Sequence, residues 1–239
     1  MIIIDSHRFG PPPPYVPPST VLRDVILADS PFAYFELNEP SGTTMVNSAP
    51  GGANGTYVNS PTLQGQNGVT ESSYHTVFNG SNQYGYFAPS LGSPTALTLE
   101  CWTVPNGLPS GTGVMSNAYS GSNVALEIGA GLPSGGNIKH AGTYNGNWTS
   151  SGSGAYSTGT VYHIVGVHTG SSLLLYINGA LIDTVGVGAV PAPNATWYVG
   201  RRHDVYDQTY WNGVIAHASL YTYALSAGQI LAHYNASII

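Results

Sequence analysis

Leu173-Leu-Leu-Tyr-Ile177, then Asn178-Gly179, then Ala180-Leu-Ile-Asp-Thr184 is the stretch on which the fold turns. Asn-Gly accepts the two positive φ angles of a type I′ turn, so the flanking runs pair as a β-hairpin. The first run is apolar on both faces, which predicts a strand covered on both sides and central in its sheet. Outward from this hairpin, from about Val21 onward, short apolar runs alternate with Gly/Ser/Asn/Pro clusters every ten residues or so. That rhythm predicts a sandwich. Strands are expected at Ala33–Leu37, Tyr74–Phe78, Tyr84–Phe87, Ala96–Val104, Ala125–Ile128, Tyr162–His168, Trp197–Val199 and Trp211–Tyr221. Residues 107–160 read as Gly/Ser-rich loops between weak strands. A single helix is expected near the C-terminus, running to about Tyr234. Ser226 caps it, Gln229 completes a capping box, and Leu225 and Ile230 form a hydrophobic staple.

The N-terminal segment differs. Pro11-Pro12-Pro13-Pro14-Tyr15-Val16-Pro17-Pro18 runs as stiff, extended polyproline. Residues 1–20 are therefore expected to form an arm and residues 21–239 the domain. Ile2, Ile3, Ile4 and Phe9 give the arm an apolar tip, and with Pro11 to Pro14 and Tyr15 they form a candidate assembly anchor. Of the 239 residues, 42% are apolar but only 7% charged, against roughly 25% in an average soluble protein. Ser, Thr, Asn, Gly and Tyr must therefore build the surface. Five Lys+Arg against eleven Asp+Glu leave a net charge of -6. Nucleic-acid partners and insertion into a membrane are not expected, since no basic patch and no run of roughly 18 apolar residues is present. The one cysteine, Cys101, excludes an internal disulfide.

Four segments carry a family resemblance. Leu27–Thr43 is similar to an opening strand and turn, and Thr76-Val-Phe-Asn-Gly-Ser-Asn-Gln-Tyr84 to an "F-x-G-S-x-x-Y" strand pair. Val161-Tyr-His-Ile-Val-Gly-Val167 with Leu173–Asp183 is similar to a "W-H-H-V … L-Y-V-N-G" hairpin. Trp211–Ser226 is similar to a closing strand and its short helix. Together they resemble the laminin-G-like group of concanavalin A-type jelly rolls, of the kind found in bacterial surface and bacteriophage virion proteins. The resemblance implies an all-β, two-sheet antiparallel jelly-roll sandwich with first and last strands adjacent. The extended Pro-rich arm and the one short C-terminal helix complete the expected architecture. Function stays open among glycan binding, protein binding, structural roles and, in distant branches, polysaccharide hydrolysis.

Hydrolysis needs two carboxyls flanking the scissile bond. The strand matching the hydrolytic branch reads Leu99-Glu100-Cys101-Trp102-Thr103-Val104, with Glu100 its one acid. Glu36 and Glu39 read as a solvated turn, so no catalytic residue and no enzyme activity are expected. His163 and the other histidines read as packed strand residues. Calcium is the cofactor the resemblance implies, but the matching positions are Asn47 and Ala216-His217. Fewer carboxylates weaken a calcium site, so no metal or other cofactor is expected. Asp204 and Asp207 read as surface partners of Arg201 and Arg202.

A binding surface remains. Sugars stack on aromatic rings and bind their hydroxyls to Asn, Asp and Arg. The candidate glycan-binding residues are Tyr144, Asn147 and Trp148 in one polar loop, and Arg202, Asp204, Tyr206 and Tyr210 in another. Trp102, Trp197 and Trp211 read as core. The expected function is a non-enzymatic bacteriophage virion protein, a minor tail or capsid decoration protein assembled in the host cytoplasm and displayed on the particle surface. Its partners would be other virion proteins, copies of itself through the arm, and host-surface glycans. A secreted or cell-surface bacterial lectin-like module is the alternative.

Overall fold

The computed structural model describes residues 18–67, 69–70, 74–107, 111–118, 123–131, 138–202 and 209–238. The anchor residues Ile2 to Ile4, Phe9, Pro11 to Pro14 and Tyr15 lie outside them, as do Asp204 and Tyr206. In chain order the elements are α1 (Pro18–Ala28), β1 (Ala33–Phe35), β2 (Thr44–Met45), β3 (Gly55–Val58), β4 (Thr62–Asn67), β5 (Tyr74–Asn79) and β6 (Tyr84–Phe87). Then come β7 (Leu97–Pro105), β8 (Thr112–Asn117), β9 (Asn123–Ala130), β10 (Ile138–Asn145), β11 (Trp148–Ala155) and β12 (Tyr162–His168). The chain closes with β13 (Ser172–Ile177), β14 (Ala180–Gly186), β15 (Trp197–Val199), β16 (Asn212–Tyr221) and α2 (Ala227–Ser237).

Two antiparallel eight-stranded sheets result. The first runs β14-β13-β12-β7-β16-β5-β4, with β1 also on β16; the second runs β11-β10-β9-β8-β15-β6-β3-β2. First and last strands pair, Tyr34 opposite Ser219, as the jelly-roll expectation requires. Between the sheets lie Phe35, Phe78, Leu99, Cys101, Leu126, Ile128, Ile164, Leu175, Trp197 and Trp211. Gly166 lets the sheets approach, since a Cβ there would lie 2.5 Å from Ile128 Cγ2 and 3.0 Å from Ala141 Cβ.

Four expectations change. A second helix, α1, occupies residues read as the end of the arm and the start of the sandwich, so the 20/21 boundary cuts through it. Pro18 stands at its first position, where the missing N–H is not needed. Leu22 and Ile26, one turn apart and fully buried, dock it on the first sheet. Next, the Leu173–Thr184 hairpin forms, with Asn178 at φ 52° and Gly179 at φ 77°, but it lies at a sheet edge. β14 is the edge strand, and β7, β12 and β16 take the centre. Leu173 and Leu175 are nonetheless buried in the core while Tyr176 packs beside Ile230 of α2, so both faces are covered as the apolar run implied. Residues 107–160 are not mainly loops, because they supply β8 to β11, half of the second sheet. Lastly, Glu36 and Glu39 are not a solvated turn. Glu39 is buried, accepting from Tyr57 OH at 2.6 Å and Val46 N at 2.7 Å, and Glu36 holds Arg23 Nε at 3.0 Å. In a chain this short of charge, these carboxylates anchor the turn from within.

The closing helix is built as its sequence dictates. The Ser226 side chain and Gln229 cap reciprocally, and Leu225 and Ile230 pack together. α1 and α2 both lie on the outer face of the first sheet, over Trp102, Val104, Val214 and Ala216 for one cluster and Val165, Val167 and Tyr221 for the other. Among the described residues, no helix covers the second sheet.

Candidate functional site

The outer face of the second sheet follows from strand alternation. Trp197 and Val199 point into the core, so Tyr198 points out, level with Ser116 on β8 and Tyr86 on β6. Leu126 and Ile128 point in, so Glu127 points out. On β10, Ala141 points in and His140, Gly142 and Tyr144 point out.

Trp148 opens β11 rather than lying in a loop, opposite Tyr144 across the Asn145–Asn147 turn. Its ring lies over Gly142, where a Cβ would come within 3.4 Å of Cζ3. The Tyr144 ring stands 5.3 Å away at 42°. Arg202 reaches the same place from the loop after β15, its guanidinium carbon 5.6 Å from the Trp148 ring. Beneath, Arg202 Nε is 3.7 Å from Glu127 Oε1, and His140 Nε2 is 3.1 Å from the same oxygen. Glu127 and His140 are fully buried. The arginine backbone can lie this close because position 113 is glycine, whose Cβ would meet Arg201 O at 2.7 Å. Among the described residues Glu127 is the acid that pairs with Arg202; Asp204 and Asp207, read as partners of the two arginines, lie outside them.

Tyr210 belongs to a neighbouring group. It bridges to Arg201, and the Arg201 guanidinium sits 4.7 Å from the Tyr198 ring, 5.1 Å from Tyr84 and 5.9 Å from Tyr210. Asn147 faces elsewhere, into a cavity of about 180 Å³ at the end of the sandwich with Asn145, Thr149 and His168. Burial lowers the His168 pKa to about 4, and its Nδ1 accepts from Gly170 N. Of the candidate residues, the structure therefore unites Tyr144, Trp148 and Arg202, places Tyr210 beside them and separates Asn147. Glu127, His140, Arg201, Tyr84 and Tyr198 were not anticipated. The signal for the first was a lone Glu in the apolar run Val124-Ala-Leu-Glu-Ile128.

The carboxylate on the strand that matches the hydrolytic branch has another task. Glu100 is fully buried on the first sheet and faces α2. Its Oε1 takes His163 Nε2 at 2.7 Å and His233 Nδ1 at 3.0 Å, and its Oε2 takes Tyr221 OH at 3.2 Å. Burial alone would raise its pKa, but His233 and His163 outweigh burial and bring it to about 2. The positions matched to calcium are likewise occupied. Asn47 Oδ1 accepts from Tyr34 N and Ala49 N, both at 3.0 Å. His217 is bound through Nδ1 to Tyr34 OH and through Nε2 to Thr70 Oγ1. Neither retains a lone pair for a cation.

Comparison with solved structures places this architecture. Domain 4 of AbnA, a GH43 extracellular arabinanase from Geobacillus stearothermophilus solved with arabinotriose, superposes with a TM-score of 0.65 at 16% identity. That match covers 86% of this chain and 98% of the arabinanase domain. The binding domain of botulinum neurotoxin DC, solved with rat synaptotagmin II, gives 0.65 at 12% identity over 88% of this chain and 52% of its own. Trypanosoma rangeli sialidase gives 0.61 at 12% identity over 84% of this chain and 32% of its own. At these identities the likeness is one of fold. No curated protein sequence matches the chain. The Laminin_G_3 model, described as the concanavalin A-like lectin/glucanases superfamily, matches residues 79–231, which is the last residue of β5 through the first turn of α2. With that match over well over half its length, and with two jelly-roll sheets closed by β1 on β16, the chain belongs to the concanavalin A-like lectin/glucanase superfamily.

Proposed function

We propose that the chain is a non-enzymatic glycan-binding module that uses the outer face of its second sheet. One observation carries this reading. Trp148 and Tyr144 form an aromatic surface, against which Arg202 is held over the buried Glu127–His140 pair. Aromatic rings receive the apolar face of a sugar, while a fixed guanidinium and neighbouring amides take its hydroxyls. The superfamily agrees with it, as does the similarity to an arabinanase domain solved in complex with arabinotriose. Binding without cleavage is favoured because Glu127 is, among the described residues, the one carboxylate on this face, and hydrolysis needs two. A glycan array probed with the full chain tests the reading. Trp148→Ala is expected to weaken binding about tenfold, the equivalent of ~1.4 kcal/mol for one stacked ring. Tyr206→Ala tests the adjoining loop, and binding that survives both substitutions puts the site elsewhere.

The setting proposed is the surface of a bacteriophage particle, with residues 1–20 joining the domain to other virion proteins or to its own copies. The sequence resemblance supports it, together with the apolar tip and polyproline of that segment. Mass spectrometry of purified particles tests it, as does deletion of residues 1–17, which stops short of α1 and should abolish incorporation while leaving the sandwich folded. Carriage as a domain of a secreted bacterial polypeptide is favoured instead by one observation, the near-complete coverage of the arabinanase domain. Detection in culture supernatant rather than in particles decides for that setting.

A further inference from the structure

Resting on the glycan-binding reading, we infer that the same face selects carboxylated glycans, and that Arg201 is the residue that takes the carboxylate.

Four of the five Lys and Arg side chains are among the described residues, and three of them are engaged by oxygen. Arg23 pairs with Glu36 at 3.0 Å. Lys139 donates to the carbonyls of Gly154 and Ala155 at 3.1 and 2.7 Å. Arg202 lies 3.7 Å from Glu127. Arg201 alone of the four has neither a carboxylate within 4 Å nor a side-chain hydrogen bond to oxygen among the described residues; its buried Nε, like that of Arg202, has no hydrogen-bond partner there. Its guanidinium is held by rings instead, those of Tyr198, Tyr84 and Tyr210. Rings fix the plane of a guanidinium through its faces and leave its edge, where the N–H groups point, without a counter-charge among the described residues.

An arginine held this way is prepared for a planar anion. A carboxylate accepts two parallel N–H bonds from the fork, and the ordering of a long side chain is already complete before the ligand arrives. Two neighbouring features fit a sugar acid better than a free anion. Tyr198 and Tyr84 offer further aromatic surface beside the charge, and Trp148 lies on the same face, over Gly142 of β10. From β10 to the β15 strand of Tyr198 is three strand spacings, about 14 Å. A ligand engaging both must be an oligosaccharide, with an uncharged ring on Trp148 and an acidic one at Arg201. The net charge of -6 opposes an acidic ligand at long range, but screening confines that opposition to about 8 Å at physiological salt. Direct contact with Arg201 then decides.

Titration calorimetry of the full chain tests the inference with four probes: oligogalacturonate, sialyllactose and the carboxyl-reduced form of each. At least one acid is expected to bind tenfold or more tighter than its reduced form, with the margin shrinking as salt is raised. Arg201→Gln should bring the acid down to the level of its reduced form. Arg201→Lys should recover only part of the margin, because a point charge cannot make the forked contact. Unchanged thermal melting of both variants guards against misfolding. Equal binding of acids and reduced forms, or a preference that survives Arg201→Gln, overturns the inference and leaves the glycan-binding reading standing. If none of the four probes, nor any glycan on an array, binds, the glycan-binding reading itself fails and takes this one with it.

Discussion

Glu100→Ala is the substitution expected to loosen both helices from the sandwich. Glu100 stands on β7 and joins His163 of β12, Tyr221 of β16 and His233 of α2. His233 Nε2 continues to Asp29 Oδ2 at 2.9 Å, directly after α1. Truncation leaves three donors without their shared acceptor and removes one of two counter-charges from a buried imidazolium. Breaking a buried pair in this way costs about 3–5 kcal/mol, a large share of a typical stability of about 5–15 kcal/mol. Glu100→Gln keeps an oxygen for His163 and loses the charge, so about 1–2 kcal/mol is expected. The pH dependence separates charge from shape. Burial works against a charged His233, but Glu100 and then Asp29 raise its pKa above the usual value of 6.5. A raised histidine contributes stability fully present below pH 6.5 and lost as pH rises through its folded pKa. Glu100, lowered to about 2, contributes above its ordinary 4.5 and loses its contribution as pH falls through about 2. The pair is therefore at full strength between about pH 4.5 and 6.5. Urea unfolding at pH 6 and pH 9 should show wild type losing stability at pH 9, and Glu100→Gln losing less. A cost under ~1 kcal/mol for Glu100→Ala, or identical pH dependence in Glu100→Gln, refutes the ion-pair account.

Three further outcomes are expected. Burial lowers the His75 pKa to about 4, so its contribution is present above pH 6.5 and lost as pH falls through 4, about 2 kcal/mol of it by pH 5; a denaturation midpoint unchanged between pH 7 and pH 5 would contradict this. Tyr34→Phe removes the hydroxyl that donates to His217 Nδ1 at 2.6 Å and strands a buried acceptor, for a loss of about 1–2 kcal/mol by thermal melting. Leu175→Pro sits where β13 pairs with β12 on one side and β14 on the other, so a cost of about 3 kcal/mol or more and loss of the native circular dichroism are expected; a soluble, native-like variant would remove β13 from the sheet interior.

What is legible in the sequence is local. Asn178-Gly179 and the Ser226–Gln229 box specify a turn and a helix start through bonds within four residues, and both form as read. Trp102, Trp197 and Trp211 are core because their strands alternate around them. What the sequence hides depends on distant partners. The hairpin is at an edge because β7 pairs with β12 on one side and with β16 on the other, a matter of topology rather than of the hairpin's own residues. α1 is masked by Pro18, since proline reads as a breaker everywhere except the first helical turn, and the Leu22–Ile26 spacing is the countersignal. Trp148 stands apart from the core as its polar surroundings indicate, but its neighbour Arg202 comes from a loop far along the chain, and Glu127 with His140 comes from two further strands.

The sparse charge of the chain explains why its two sheets serve different ends. In a core with few Lys or Arg, polar groups must satisfy one another through neutral donors and acceptors. The chain from Tyr34 OH to His217, Thr70, His75 and the carbonyl of Glu36 does so in one direction. Each imidazole donates through one nitrogen and accepts through the other. Burial lowers the pKa of His75 and His217 and keeps both uncharged, and the chain of hydrogen bonds ties the β1 and β5 regions to the bulge of β16 at His217. The first sheet's outer face is thus given over largely to holding α1 and α2. Arg201 and Arg202 lie on the other face, each held by aromatic rings rather than by solvent. Cations so rare would be most useful to folding in the buried network, where His163 and His233 stand instead. Their position on the sheet that no described helix covers is the arrangement the proposed glycan-binding face requires.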